Sequence, residues 1–138
     1  MQHLPITLQS CQVLIIGWGR IGAALAEDLK KNGAQVTVCS GTERSRSLCM
    51  ALGYGVFPPE QASVQLPHFR VIVNTAPAVT ISDFSSAQKN CLFIDLASKP
   101  GIIAPEVIAA KGLPGKMVPE SSGKLIAKAV QHIIFGKE

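Results

Sequence analysis

Three glycines, Gly17, Gly19 and Gly22, stand in the spacing G-x-G-x-x-G, with Trp18, Arg20 and Ile21 in the variable positions. Each missing side chain has a use. The first permits a tight turn, the second lets backbone approach a ligand, and the third lets a helix lie close to a strand. The chemistry this suits is recognition of a diphosphate bridge by free amide hydrogens at the start of a helix. The flanks supply the required context. Residues 12–17 (QVLIIG) form a near-continuous apolar run, as in a strand covered on both faces, and residues 20–31 repeat apolar side chains at Ile21, Leu25 and Leu29. Arg20 either adds a phosphate contact or is simply solvated. Trp18 is expected to pack against a neighbouring loop or a partner.

A site of this kind chooses its dinucleotide at the end of the second strand, about 20 residues beyond the loop. Residues 39–46 read CSGTERSR, so the position for a ribose-binding acid holds Cys39 or Ser40. A hydroxyl followed by arginine suits a 2′-phosphate, which guanidinium can meet bidentately. NADP is therefore favoured over NAD, with Ser40, Thr42 and Arg44 as its candidates. The alternative is that Arg44 and Arg46 are exposed residues of a helix's first turn, and Glu43 keeps NAD open.

Two further loops should border the reactive ring. Asn74, Thr75, Ala76 and Pro77 follow one apolar run, and residues 95–101 (DLASKPG) follow another. Asn74 and Thr75 offer hydrogen bonds to a cofactor or to their own turn. Asp95 is a polar group of the site or, the favoured reading, a cap for its own loop. Lys99 is the candidate catalytic cation, able to meet a substrate carboxylate, with ordinary solvation as its alternative. His3, His68 and His132 pair with no acid in the sequence. Cys11, Cys39, Cys49 and Cys91 show no metal spacing, so no metal is expected. The residues amount to half a site: a place for a cofactor without a full catalytic set.

The elements that must position these residues follow from periodicity. Strands are expected at residues 12–17, 35–39, 53–57, 70–74 and 91–96. Helices are expected at 20–31, from the Thr42 cap to about Leu52, weakly at 59–66, at 82–88, for a turn or two at 105–111, and at 121–135. Asn32 and Gly33 should end the first helix. Alternation of strand and helix implies an α/β fold, a doubly wound parallel sheet between two helical layers, the three-layer Rossmann arrangement. Residues 1–11 read as a leading segment and 12–138 as one domain. The apolar stripe of 121–135 is core or a dimer surface.

Composition narrows the partners. A net charge of +4 over 138 residues is spread without a basic run, and aromatics make up 5%, so nucleic acid is not expected. No apolar run approaches the ~20 residues of a membrane span. Lacking a signal-like start, the chain reads as a reduced, cytoplasmic protein. With 47% hydrophobic residues and 16% charged, some surface is expected to meet a missing domain or a partner chain, including a second copy in a homo-oligomer.

At its loops the chain resembles the C-terminal domain of the dipicolinate synthase A subunits. The matching segments are VLIIGWGRIG, VIVNTAPA, IDLASKPG, and LPGK with the following VPESSGKLI; the leading HLPITLQS is similar too. The resemblance implies a sporulation-linked oxidoreductase that makes pyridine-2,6-dicarboxylate from a dihydrodipicolinate-type precursor with NADP, beside a flavoprotein-like B subunit. It implies that Gly17, Gly19 and Gly22 hold the pyrophosphate and that residues 74–77 and 98–101 line the cofactor cleft. On chemical grounds, Lys99 and Lys116 are the candidates to meet the two substrate carboxylates. Two departures stand out. The family's N-terminal domain and a short strand between Ala110 and Leu113 are both expected to be missing, the latter exposing a sheet edge. Turnover is therefore expected to need a partner domain or the B subunit. The alternatives are a 2-hydroxyacid- or shikimate-type reductase domain, which also carries N-T-x-P, and a non-catalytic dinucleotide-binding assembly module.

Overall fold

The computed structural model describes residues 10–77 and 80–96, and the backbone of Val107–Ala109. Its strands are β1 (Gln12–Ile16), β2 (Gln35–Cys39), β3 (Gly55–Phe57), β4 (Val71–Asn74), β5 (Leu92–Asp95) and β6 (Val107–Ala109). They form one sheet in the order β3-β2-β1-β4-β5-β6, and every neighbouring pair is parallel. The chain thus starts in the middle of the sheet, winds outward to β3, then crosses back over β1 to β4. That reversal opens a crevice at the carboxyl ends of β1 and β4, where ligands of such sheets bind.

Helices α1 (Arg20–Lys31) and α2 (Glu43–Ala51) make the crossovers from β1 to β2 and from β2 to β3. The short α3 (Ala62–Gln65) lies between two 3₁₀ turns, Pro59–Gln61 and Leu66–His68, ahead of β4. Strand alternation divides the apolar side chains between two faces. Val13, Ile15, Val36, Val38, Val71 and Val73 pack with Leu25, Ala26 and Leu29 of α1 and Cys49 of α2. Leu14, Ile16, Ile72 and Phe93 pack on the other face with Phe57, Ala62, Leu66, Phe69 and Phe84. Both faces are covered, which is why the strand sequences are apolar without interruption. Gly33, at φ +97°, ends α1 as expected beside Asn32.

Two expected helices are corrected. Residues 82–88 form turns: the carboxylate of Asp83 accepts the Ser85 N–H at 2.9 Å, a local bond that competes with helix formation, while Ile81 and Phe84 anchor the segment in the core. Within 105–111 the structure has strand β6, whose Val107 and Ile108 register with Phe93 and Ile94. A short apolar run has no period long enough to tell a helical turn from an edge strand, and the β-branched pair favours the strand. The sheet therefore has a sixth strand. The strand expected to be missing, between Ala110 and Leu113, falls outside the described residues, as do residues 1–9 of the leading segment and the helix expected at 121–135.

Candidate functional site

The site is built first by the turn between β1 and α1. Gly17 adopts φ +98°, a conformation costly for any residue with a Cβ, and its N–H donates to the Cys39 carbonyl at 2.9 Å. A Cβ on Gly17 would lie 3.0 Å from the Cβ and N of Ala76 and from Thr75 Oγ1. A Cβ on Gly22 would lie 2.8 Å from the Gly17 carbonyl oxygen. Those two glycines are demanded by packing inside the protein. Gly19 differs: a Cβ there would find nothing within 4 Å, so its missing side chain leaves open space in front of α1.

Gly19 is also the N-cap of α1, and no side chain caps that helix; its first turn holds no acidic residue. Helix geometry leaves the N–H groups of Arg20, Ile21 and Gly22 without intrahelical partners, at the positive end of the dipole. Such a cradle fits a pyrophosphate. Arg20 is exposed beside it, while Ile21 and Trp18 are half-buried against the α1-side core. The Trp18 ring packs at 5.7 Å from that of Tyr54, so its expected neighbour is the approach to β3.

The second corner is the end of β2. Ser40 is buried; its hydroxyl accepts the Thr42 N–H at 3.3 Å, and its carbonyl accepts from Arg46 Nη1 at 2.7 Å. Thr42 Oγ1 accepts the Ser45 N–H at 3.3 Å and so caps α2, as expected. Arg44 is exposed. The corner thus brings Arg46 onto the end of β2. The sequence carries only part of the signal: Arg46 lies four residues beyond Thr42, one turn into the helix that Thr42 starts. Burial pushes the Cys39 thiol up to about 12, against the opposing pull of Arg46 and with a smaller push from Glu60.

The third corner joins β4 and β5. Asn74 and Asp95 are both buried at paired strand ends. Asn74 Nδ2 donates to Asp95 Oδ1 at 3.2 Å and to the Ala76 carbonyl at 3.0 Å, while Asn74 Oδ1 accepts the Ala76 N–H at 3.3 Å. Thr75 Oγ1 donates to the Ile16 carbonyl at 2.9 Å and lies 3.4 Å from that of Gly17. These bonds of Asn74 and Thr75 stabilise the turn and tie it to β1. Ala76 is half-buried beside Gly17 and Pro77 is exposed. Lys99, Lys116 and the stretch 98–101 lie outside the described residues. Among the described residues, no cluster of three or more His, Cys, Asp or Glu could hold a metal ion, and no helix is long and apolar enough to cross a membrane.

The family described as NADP oxidoreductase coenzyme F420-dependent matches residues 12–118. The dipicolinate synthase A subunit of Bacillus subtilis (strain 168) is 25% identical over 144 residues, which take in 97% of this chain and 48% of that protein. The crystal structure of the dipicolinate synthase A subunit from Bacillus halodurans superposes with a TM-score of 0.75 at 25% identity, covering 96% of this chain and 49% of that one. A putative D-3-phosphoglycerate dehydrogenase from Ralstonia solanacearum shares the fold, with a TM-score of 0.63 at 18% identity over 94% of this chain and 48% of its own. The chain spans about half the length of these relatives.

Proposed function

The chain belongs to the family of NADP oxidoreductases described as coenzyme F420-dependent, and on that premise we propose that it is the NADP-binding unit of an oxidoreductase of the dipicolinate synthase type. The observation that carries the reading is the uncapped start of α1 behind the open space at Gly19. Gly17, Gly19 and Gly22 shape the turn, and the amides of residues 20–22 meet the pyrophosphate, with Arg20 beside it. Bound NADP would supply a hydride acceptor for oxidation of a dihydropyridine dicarboxylate to its aromatic product. Lys99 and Lys116 are proposed to hold the two substrate carboxylates, and a B subunit or a further domain to complete the catalytic set. Similarity to the two dipicolinate synthase A subunits supports this choice of substrate class.

NADP is proposed over NAD because the β2 corner offers cations where a 2′-phosphate would lie. Arg46, fixed by the Ser40 carbonyl, has further N–H groups to give, and Arg44 stands exposed on the same helix.

Titration with NADP and NAD, followed by thermal unfolding, tests the reading. NADP at about a hundred times its Kd should stabilise the chain by about 2.7 kcal/mol. Arg46→Gln removes the charge and is too short to reach the Ser40 carbonyl, so it should weaken NADP roughly tenfold while leaving NAD nearly unchanged. No stabilisation by either nucleotide would refute the reading; equal loss for both would refute the 2′-phosphate assignment. NADPH formation from dihydrodipicolinate, with and without a B subunit, tests the substrate.

A further inference from the structure

The polar side chains at the ends of β4 and β5 belong to the crevice by sequence, and in the structure a chain of hydrogen bonds runs sideways from Asp95 through Asn74 and its turn to Thr75 and the end of β1. Asp95 accepts from Asn74. Asn74 spends the rest of its amide on Ala76, accepting its N–H and donating to its carbonyl, which fixes the turn that carries Thr75. Thr75 is doubly tied to β1: its N–H and its hydroxyl both donate to the Ile16 carbonyl at 2.9 Å. Ala76 and Thr75 then stand 3.0 Å from where a Gly17 Cβ would be, and Thr75 Oγ1 3.1 Å from the corresponding point on Gly22. The same turn therefore presses on both packed glycines of the phosphate loop.

We infer that Asp95 and Asn74 are positioning residues for the dinucleotide: acting through Thr75, they brace the turn at Gly17 from β5 across β4 and so set the pyrophosphate cradle without touching the cofactor. The inference rests on the dinucleotide reading of that cradle. Its chemistry makes a prediction against simple electrostatics. A buried carboxylate near a phosphate site repels an anionic ligand, so on charge alone its removal should tighten binding. As a brace, its removal should loosen binding, because Asn74 loses the acceptor that orients its amide and a cradle of amide donors tolerates little displacement.

The experiment uses the full chain with two probes: NADP, which needs the pyrophosphate cradle, and adenosine 2′-monophosphate, which has no phosphate at its 5′ position. Asn74→Asp sets two acceptors against each other and should weaken NADP tenfold or more, leaving the 2′-monophosphate within about twofold. Asp95→Ala should act in the same direction. The exchanged pair Asn74→Asp with Asp95→Asn restores the bond between the strand ends but not the one from residue 74 to the Ala76 carbonyl, so it should recover part of the NADP affinity; it also keeps the test alive if a single variant fails to fold. Thr75→Val, which keeps the shape and loses the hydroxyl, should weaken NADP and spare the 2′-monophosphate. Tighter NADP binding by Asp95→Ala, equal losses for both probes, or no recovery in the exchanged pair would each overturn the inference. A wild-type chain that binds neither probe would instead overturn the dinucleotide reading.

Discussion

Helices α1 and α2 both begin at the carboxyl edge of the sheet, but Thr42 closes the start of α2 with its hydroxyl, and Glu43 sits in its first turn. At α1 the N-cap is Gly19, without a side chain to offer, and the first turn has no acid. The same physical need, partners for the first amides of a helix, is met internally in one place and left to solvent or a ligand in the other. A helix start is thus informative about binding when the protein has declined to cap it. The α1 start meets that condition and the α2 start does not, although the α2 side is richer in polar and basic side chains.

The strongest way to break this comparison is to give α1 what α2 has. Gly19 has an extended backbone that any residue adopts, and a Cβ there meets nothing within 4 Å, so Gly19→Asp should fold. The new carboxylate would cap the amides of α1, contributing about 1 kcal/mol to stability, and would occupy the phosphate position with negative charge. Dinucleotide affinity should fall more than a hundredfold while the unfolding midpoint holds or rises. Calorimetric titration and urea unfolding on the same variant check both. A variant that still binds would show that the α1 start is not the anion site.

A smaller effect sharpens the contrast in solvation. The α2 corner is closed over Cys39, whose thiol burial pushes up to about 12, as it does for Cys91 at the opposite end of β5. In the unfolded chain these thiols ionise near 9, so between those values the unfolded state has released protons that the folded state keeps. Stability therefore falls as pH rises above about 9. Urea midpoints at pH 8 and pH 10 should show the drop, and Cys39→Ala should flatten it.

Much of this was legible in the residues. The glycine loop, β2 and α1 could be bounded to within a residue because an apolar run changed period at a glycine cluster, and the Thr42 cap because hydroxyl caps are a local signal. Residues 82–88 and 107–109 mislead for the converse reason: Asp83 turns the first through a side-chain bond, and three residues of β6 are too few to show a period. At the site, residue types give Asn74, Thr75 and Asp95 a place near the crevice but not a direction. Whether an amide faces a ligand or a neighbouring strand depends on register, and the pairing of Asn74 with Asp95 is a long-range fact. Sequence position favours Arg44 over Arg46, because reaching back to Ser40 depends on where α2 starts and how it is turned.

The mildest test addresses Thr42, whose hydroxyl is a candidate for the 2′-phosphate by sequence and in the structure accepts from Ser45. One oxygen can serve as a helix cap or as a ligand group, and the two roles leave different traces when it is removed. Thr42→Ala costs a capped helix about 1 kcal/mol, an expected loss that urea unfolding would register in the absence of nucleotide. If capping is its role, NADP and NAD affinities both stay within about twofold, since Ser40 still anchors Arg46 through a main-chain oxygen that the substitution does not alter. If NADP weakens several-fold against NAD with little loss of stability, the hydroxyl belongs to the ligand, and the contrast between a closed α2 start and an open α1 start no longer holds.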